Sequence, residues 1–231
     1  AIADLESAGV EIVAALDARA GDDIVRVEGR GRVSSVHLGD GRTVKADLVV
    51  TAIGWTAPTS LLNMAGNRPV YDPAAARYFP DALPDDVLAT GGITGDGTTA
   101  ELIAHGRATG TLAASRALRS RHDRISATAR SRVPDAPRPD VLADDRTPLA
   151  RAPHPEYYRS TTHGMVDYSE DVSSKDLIQA VQEGFDSIEL MKRYTTVTMG
   201  PSQGKLETVN AAAVLAEARQ IPMADIGTTV W

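Results

Sequence analysis

The residues best suited to chemistry lie in one stretch near the end of the chain, residues 191–205. Lysines, an arginine, hydroxyls, a carboxamide and glycines fall there, in Met191-Lys192-Arg193-Tyr194-Thr195-Thr196 and Met199-Gly200-Pro201-Ser202-Gln203-Gly204-Lys205. A guanidinium is a planar fork of donors, an ammonium is a point charge, and glycines let backbone N–H groups approach an anion, so this inventory is typical of a phosphate site. In the alternative interpretation, Lys192 and Arg193 end a helix, where cations interact favourably with free carbonyl groups. The sequence leaves both interpretations open.

A second candidate site is the glycine-rich turn at residues 91–99. The turn contains four glycines within seven residues, Gly91, Gly92, Gly95 and Gly97. We expect a strand before it and a helix from about Ala100 to Arg119 after it. Because the N–H groups at a helix N-terminus point into such a turn, the pattern indicates a cradle for a phosphate or a ribose. The alternative is a turn that only joins a strand to a helix.

Composition excludes several classes of protein. A net charge of −7 leaves no excess of cations to neutralise phosphates, which argues against a general nucleic-acid-binding protein. The absence of cysteine excludes disulfides, thiolate catalysis and cysteine-ligated metal or iron–sulfur sites. No apolar run approaches the roughly 18 residues of a membrane helix, so we expect no membrane contact and a cytoplasmic location. The chain begins without a methionine or a signal-peptide pattern, and we expect it to be part of a longer protein.

The first 119 residues predict an α/β domain that begins with short antiparallel strands. We expect a helix over residues 2–8, and then strands that are listed here in chain order: 10–14, 24–27, 32–38 and 42–46. Gly39-Asp40-Gly41 has the chemistry of a hairpin turn between the last two of these strands. The near-continuous apolar run of residues 47–54 predicts a strand that is buried on both faces of a parallel sheet.

A proline-bearing linker over residues 120–156 separates this domain from a small helical domain over residues 157–231. For the second domain, the sequence predicts three helices. Ser173 with Asp176 is a capping-box variant for the first helix, Gly184 ends that helix, and Asp186 caps the next.

Several motifs of the chain together carry a resemblance to a known family. They are Val166-Asp167-Tyr168, Glu183-Gly184-Phe185, Lys192-Arg193-Tyr194-Thr195-Thr196, Met199-Gly200, Gln203-Gly204-Lys205 and Asn210. These motifs closely resemble the alpha subunit of heterotetrameric sarcosine oxidase. Residues 46–54 and 88–106 look like the closing part of the Rossmann-like domain of two-dinucleotide-domain flavoproteins. Residues 221–229 look like the join to a folate-binding domain.

The resemblance also shows where this chain departs from the wider superfamily. Many relatives bind a [2Fe-2S] cluster through four cysteines, and laying the patterns together puts Asp167, Ser169, Ser202 and Glu207 at those places. Oxygen side chains do not replace thiolates in such a site, so we expect the cluster to be lost. Gly92 stands where related flavin reductases carry an aspartate that holds the flavin, which favours NAD over FAD. The usual Gly-x-Gly-x-x-Gly motif is expected upstream of Ala1.

The resemblance implies a function for the whole protein. It implies an oxidoreductase acting on CH-NH groups, which oxidises sarcosine to glycine, passes the methylene unit to tetrahydrofolate and sends electrons through FAD and FMN to oxygen. FAD and tetrahydrofolate would bind outside this chain, and beta, gamma and delta subunits would be its partners. Two sets of residues would bind cofactors here: Lys192, Arg193, Thr195 and Gln203 for FMN at the junction with the beta subunit, and Gly91, Gly92, Gly97 and Thr99 for NAD.

No residue of the chain is a convincing catalyst of proton transfer. His105 and His163 are lone histidines, for which we expect structural roles. Two other functions remain as alternatives. One is a non-catalytic scaffold that joins a folate domain to oxidase subunits. The other is a subunit of a related amine or opine dehydrogenase, although those relatives keep the cluster cysteines.

Overall fold

The structure is a computed structural model that describes residues 2–52, 56–128, 140, 142–154 and 164–229. Its Cα positions divide into two compact units, Ala1–Gly54 and Trp55–Trp231. The division predicted from sequence falls instead within residues 120–156, much of which lies outside the described residues. The predicted domain boundaries therefore stay a prediction.

The first unit contains a short α-helix, a 3₁₀ turn (Ala18–Ala20) and an antiparallel meander. Helix α1 spans Ile2–Ser7, and the strands are β1 (Ile24–Glu28), β2 (Ser35–Leu38) and β3 (Thr43–Lys45). Strand β2 pairs with both neighbours in antiparallel fashion, which confirms the predicted meander. Gly41 closes the turn between β2 and β3 at a φ of 86°, a backbone conformation that glycine adopts without steric cost. The period of two along β2 buries Val36 and Leu38 on one face.

The strand predicted at residues 47–54 is wrong over the residues that the structure describes. Residues 47–52 form no strand, and Leu48 and Val50 are 69% and 75% exposed. An apolar run becomes a buried parallel strand when strands pair on both of its sides. Within the described part of the chain, every strand pairing is antiparallel, so this run has no such neighbours. The strand predicted at residues 10–14 is also wrong, because these residues have no strand to pair with among the described residues.

The second unit begins with a helix and a hairpin and continues into the longest helix of the chain. These elements are α2 (Ser60–Met64), β4 (Val70–Asp72), β5 (Arg77–Phe79), a 3₁₀ turn (Gly91–Ile93) and α3 (Thr99–Thr128). Helix α3 confirms the predicted start near Ala100 but runs nine residues beyond Arg119. The strand expected before the glycine turn is absent from residues 86–90, which have no strand to pair with among the described residues.

The predicted three-helix region is confirmed. Its elements are β6 (Met165–Asp167), β7 (Val172–Ser173), α4 (Ser174–Gln182), α5 (Ile188–Thr195), α6 (Thr208–Arg219) and a 3₁₀ turn (Met223–Asp225). Fully buried Leu177, Met191 and Leu215 bring the three helices together in one apolar core. Burial of side chains of this size provides most of the driving force for such packing.

The caps of these helices follow local chemistry, with one correction. Ser173 and Asp176 form the predicted capping box of α4, and Gly184 follows the helix at a φ of 96°. The cap of α5 is Ser187, not Asp186. The Ser187 Oγ accepts a hydrogen bond from the Leu190 N–H at 3.3 Å, and its extended backbone is the conformation that a cap requires.

The β4–β5 hairpin packs on the last helix of the same unit. Tyr71 and Tyr78 share a buried apolar cluster with Val209 of α6 and with Met223. The Tyr78 hydroxyl donates to the Met223 carbonyl at 2.9 Å, which satisfies the polar end of a buried ring.

Over the described helices, none combines the length and the apolar character that crossing a bilayer would take.

Candidate functional site

The last turn of α5 carries three of the residues predicted to bind FMN. Ile188 and Met191 point into the core and so fix which way the rest of the helix faces. Thr196 then ends α5 in the left-handed conformation, at a φ of 64°, and its N–H donates to the Lys192 carbonyl at 2.9 Å. The structure therefore brings Lys192, Arg193 and Thr195 together on one turn, as the sequence predicted.

The two cations of this turn have opposite environments. The Lys192 residue is only 8% exposed, and burial lowers the pKa of its ammonium, an effect that the carboxylate of Glu189 partly offsets. The Arg193 side chain is 73% exposed, and its Nη2 lies 3.2 Å from the Glu189 Oε2 one turn earlier. Lys192 is thus a desolvated cation near the end of a helix, whereas Arg193 is a solvated cation in an i,i+4 ion pair.

Thr195 and Gln203 differ in how much hydrogen-bonding capacity they have left. The Thr195 hydroxyl already donates to the Met191 carbonyl at 2.8 Å, so its oxygen can act only as an acceptor. Gln203 lies on a later turn, is exposed and has a φ of 55°. Its backbone N–H donates to the Gly200 carbonyl at 2.9 Å, while its side chain points to solvent.

A buried carboxylate that sequence reasoning took only for a lost cluster ligand organises this loop. Asp167, at the end of β6, is fully buried. Its Oδ1 accepts from the N–H groups of Ser169 at 2.9 Å and Glu170 at 3.1 Å, and its Oδ2 accepts from the Thr198 N–H at 2.9 Å. Asp167 therefore connects the β6–β7 turn to the loop that follows α5. An aspartate whose carboxylate accepts from the N–H groups two and three residues later is a recognisable local signal, but its third bond spans 31 residues of sequence and has no local signature.

The same two segments approach each other closely at Gly200. A Cβ placed on Gly200 would lie 2.7 Å from the Glu170 Oε1 and 2.8 Å from the Ser169 Cβ, so no larger residue fits without a shift. Farther along the loop, the Ser202 hydroxyl donates to the buried Glu207 carboxylate at 2.7 Å. At three of the four positions that the resemblance assigns to cluster cysteines, Asp167, Ser202 and Glu207, side-chain oxygen atoms thus form hydrogen bonds within the protein.

The glycine turn before α3 has an open part and a filled part. Gly91 has a φ of 80°, and a Cβ on either Gly91 or Gly92 would meet no atom within 4 Å. The Thr94 N–H donates back to the Gly91 carbonyl at 2.9 Å, which closes the 3₁₀ turn. The predicted NAD residues Gly91 and Gly92 therefore border open space.

At the start of α3 the chain already supplies an anion. The N–H and the hydroxyl of Thr98 donate to the Glu101 Oε2 at 2.7 and 2.8 Å, and the Glu101 N–H donates back to the Thr98 hydroxyl at 3.3 Å. These bonds, led by the one from the Thr98 backbone, lower the pKa of Glu101. The predicted NAD residue Thr99 is the exposed first residue of the helix, and Gly97 lies against the Glu101 side chain.

Residues 144–154, here called the strap, fill the rest of the turn. The Ala150 carbonyl accepts from the Asp96 N–H at 2.6 Å. A Cβ on Gly95 would lie 2.6 Å from both that carbonyl oxygen and the Leu149 Cβ, so Gly95 makes room for the strap. Because the N–H groups of Asp96 and Thr98 donate to acceptors of the chain, residues 95–99 in this arrangement do not fit a nucleotide phosphate.

His105, one of the two histidines singled out in the sequence, makes a contact between elements of the fold. The His105 Nδ1 lies 2.8 Å from the Thr90 hydroxyl, a contact that joins α3 to the residue before the glycine turn. His163 lies outside the described residues. Sequence reasoning assigned structural roles to both, and the contact of His105 is consistent with that assignment.

Comparisons with known proteins place these features in a family. Residues 161–231 match the family model of the sarcosine oxidase A3 domain. The chain is 31% identical over 247 residues to the sarcosine oxidase subunit alpha of Rhizobium meliloti (strain 1021), covering 99% of this chain and 24% of that protein. It is 30% identical over 199 residues to the same subunit of Corynebacterium sp. (strain P-1), covering 84% of this chain and 19% of that protein.

The chain thus spans about a quarter or less of the length of these relatives. It is also similar in fold to the crystal structure of L-proline dehydrogenase from P. horikoshii, with a TM-score of 0.59, 18% identity and coverage of 90% of this chain and 41% of that one. At that identity the likeness concerns the fold alone. The resemblance seen in the sequence is confirmed: residues 161–231 match the sarcosine oxidase A3 domain, and the chain is similar over most of its length to part of the alpha subunits of sarcosine oxidase.

Proposed function

We propose that this chain is part of the alpha subunit of an oxidoreductase that acts on the CH-NH group of sarcosine. The reaction would oxidise sarcosine to glycine and pass the methylene unit to tetrahydrofolate, with oxygen as the electron acceptor. The observation that carries the proposal is the similarity to sarcosine oxidase alpha subunits over 99% of the chain. The proposal includes beta, gamma and delta subunits as partners and a cytoplasmic location.

Within the chain we propose three parts. Residues 1–119 would be the closing part of a Rossmann-like dinucleotide domain, residues 120–156 a linker, and residues 157–231 a cluster-less helical domain. FAD and tetrahydrofolate would bind elsewhere in the assembly. NAD would bind at the glycine turn, beside Gly91, Gly92, Gly97 and Thr99, in an arrangement that differs from the present one at residues 95–99.

We propose that the end of α5 holds the phosphate of FMN at the junction with the beta subunit. The burial of Lys192 supports this, because a cation that has lost its hydration gains more from a nearby anion than a solvated cation does. Arg193 would add a planar fork of donors by leaving Glu189, and Gln203 would donate from its exposed carboxamide. Thr195, whose hydroxyl oxygen can only accept, would contact a hydroxyl of the FMN ribityl chain and not the phosphate. A bound flavin supplies the electron transfer that none of these side chains can perform.

The experiment that tests this function uses the full-length protein purified with its co-purifying chains. We expect flavin absorbance and an oxygen uptake that depends on added sarcosine. Tetrahydrofolate should trap the methylene unit that is otherwise released as formaldehyde. Proline and dimethylglycine at the same concentration serve as substrate controls.

Two outcomes would replace the proposal by one of its alternatives. Reduction of an artificial dye by sarcosine or another amine, without oxygen uptake, would identify a dehydrogenase subunit. A preparation with all partner chains but neither flavin absorbance nor turnover would identify a scaffold subunit.

A further inference from the structure

The strap is bound to the glycine turn by hydrogen bonds in both directions. Besides the bond from the Asp96 N–H to the Ala150 carbonyl, the Ala152 N–H donates to the Asp96 Oδ2 at 2.8 Å. Asp96 and Ala150 form a single antiparallel bridge. The strap therefore acts as a one-residue edge strand against the turn.

The buried side chain of Arg77 contacts the Asp96 carboxylate of this bridge. The Arg77 side chain on β5 is 6% exposed, and its Nη2 lies 2.7 Å from the Asp96 Oδ1. The guanidiniums of Arg77 and Arg151 lie 4.6 and 4.2 Å from the centroid of the Phe79 ring. The strap thus docks at Asp96 and Phe79, two positions that Arg77 also contacts.

Polar contacts hold the strap at three further points. The Arg146 Nη1 donates to the Ala89 carbonyl at 3.1 Å, and the His154 N–H donates to the Ala74 carbonyl at 2.9 Å. The Arg151 Nη1 lies 3.3 Å from the Asp72 Oδ2, with 46% of the arginine side chain exposed. This bond contributes to the lowered pKa of Asp72, together with those from the Ala75 and Ala74 N–H groups, against the effect of burial.

The strap has the features of a segment that opens at low cost. None of its side chains is buried, and its attachments are backbone hydrogen bonds, the ion pair of the partly exposed Arg151 and the hydrogen bond from Arg146, whose side chain is 16% exposed. Exposed ion pairs contribute little to stability, and segments with few buried apolar contacts open far below the global unfolding free energy. The Asp96–Arg77 pair, by contrast, would remain in place when the strap leaves.

We propose that the strap occupies the nucleotide cradle in place of a phosphate, and that NAD binds at the glycine turn only when the strap is released. The inference rests on the proposed NAD site. The Asp96 N–H, which now donates to Ala150, then becomes a donor for the ligand, and the space beside Gly95 and Gly97 that Leu149 fills becomes free. Strap and nucleotide compete for the same donors, which makes the strap a regulator of cofactor occupancy.

Two trypsin sites lie within the strap and report on its release. The bonds after Arg146 and Arg151 can be followed by mass spectrometry in the full-length protein with its partner chains, first freed of NAD and then titrated with NAD. The bond after Arg30, in an exposed bend of the first unit, is the internal reference. We expect NAD to accelerate cleavage in the strap by about three- to tenfold relative to the reference bond, because the bound ligand shifts the population towards the open state.

Substitutions that remove an attachment of the strap should strengthen the binding of NAD. In Arg151→Gln, we expect the Kd for NAD, measured by calorimetry, to fall by about three- to tenfold and cleavage after Arg146, the trypsin site that this variant keeps in the strap, to rise without NAD. Asp72→Asn removes the same ion pair from the other side and should act alike. Arg68→Gln, at an exposed arginine outside the strap, has the same charge change and should alter neither quantity.

The outcomes separate this inference from the function on which it rests. NAD that binds while cleavage in the strap stays unchanged or slows would overturn the strap inference and leave the NAD site standing. Weaker NAD binding in both Arg151→Gln and Asp72→Asn would show that the strap is part of the site, which also overturns it. If neither the native protein nor the variants bind NAD, the NAD site and the strap inference both fail.

Discussion

The loop after α5 and the glycine turn before α3 both direct backbone N–H groups at an acceptor that the chain itself supplies. In the loop, the acceptor is the fully buried carboxylate of Asp167. In the turn, the acceptors are the exposed carboxylate of Glu101 and the carbonyl of Ala150 on the strap. Both regions therefore satisfy their backbone N–H groups from within the chain, but the acceptor is buried in the loop and exposed in the turn.

This difference decides which region can change its partner. A buried charge without its hydrogen bonds is very unfavourable, so Asp167 fixes the loop and leaves ligand binding to the side chains around it. An exposed acceptor can exchange its bond for one to water, so the turn can give up Glu101 or Ala150 and accept another anion. The loop is a rigid support for Lys192, whereas the turn is a site that opens.

The largest effect should come from removing the support of the loop. Asp167→Ala leaves the N–H groups of Ser169, Glu170 and Thr198 without their acceptor. Thr198 is buried, and a buried unsatisfied group costs about 1–3 kcal/mol, whereas water can partly replace the acceptor at Ser169 and Glu170. We expect the free energy of unfolding to fall by about 2–4 kcal/mol, measured by urea denaturation of the full-length protein.

Two other variants delimit this prediction. Asp167→Asn should lower the free energy of unfolding by less, because an amide keeps one acceptor oxygen. It should still lower it, because the NH₂ group then faces a backbone donor. Asp186→Ala, at an exposed carboxylate 3.8 Å from Arg219, should change stability by no more than about 0.5 kcal/mol. An Asp167→Ala protein as stable as Asp186→Ala would show that the loop does not depend on the buried carboxylate.

The next effect concerns the flavin. If Lys192 holds the FMN phosphate, Lys192→Met removes a charge-assisted hydrogen bond worth about 1.5–3 kcal/mol, and FMN retention in the assembly should fall about ten- to hundredfold. Methionine fills a similar volume, so the apolar contacts of the buried stem are largely kept. Lys175→Met, at an exposed lysine of α4, is the matched control. Equal flavin absorbance in both variants after dialysis would remove Lys192 from the FMN site.

Lys192 also predicts a pH dependence with a definite sign. Burial lowers the pKa of its ammonium below the 10.5 of an exposed lysine, so the unfolded state binds more protons than the folded state between the two values. The penalty for the buried charge is complete below the folded pKa and is relieved as the pH rises towards 10.5. The stability of the flavin-free protein relative to Lys192→Met should therefore increase through that window, as followed by thermal unfolding at a series of pH values. A difference that does not vary with pH would contradict the shift.

A smaller effect is expected where the acceptor is exposed. Thr98→Ala removes the hydroxyl that accepts from the Glu101 N–H, and loss of such a cap costs about 1 kcal/mol. The pKa of Glu101 should also rise part of the way towards 4.5, because one of its donors is lost while the backbone donor remains. Thermal unfolding gives the first quantity and an NMR titration the second. Thr111→Ala, at an exposed helix position whose hydroxyl donates to the Arg107 carbonyl, is the control without a cap.

What the sequence predicted correctly depends on contacts between near neighbours. The Gly39-Asp40-Gly41 hairpin, the Ser173–Asp176 capping box and the left-handed Gly184 each involve residues within three positions of one another. The end of α5, with Lys192 and Arg193 on one turn, follows from the same local rules. The displacement of a cap from Asp186 to Ser187 is the one-residue error that such rules allow.

What the sequence did not predict depends on distant partners. Asp167 reaches Thr198 across 31 residues, and the bridge from Asp96 to Ala150 crosses a segment that composition describes as a linker. The apolar run at residues 47–54 predicted a buried strand because hydrophobicity carries no information about whether neighbouring strands exist. Long-range pairing, not local propensity, decided these cases.

Arg193 should show the smallest effect, and it decides between the two interpretations of its own stretch. Its i,i+4 pair with Glu189 is exposed, so Arg193→Ala should lower stability by only about 0.2–0.5 kcal/mol, and Arg193→Lys by less. If the guanidinium also contacts FMN, retention of the flavin should fall by up to about fivefold in Arg193→Ala, because a solvated charge contributes no more than roughly 1 kcal/mol. Arg193→Lys should keep the ion pair with Glu189 but restore the retention of FMN only in part, since a point charge does not reproduce a bidentate fork. Flavin content and melting temperature measured on the same samples separate the two roles. Full flavin content in Arg193→Ala, with the small loss of stability still present, would assign Arg193 to ending the helix and leave Lys192 as the cation of the phosphate site.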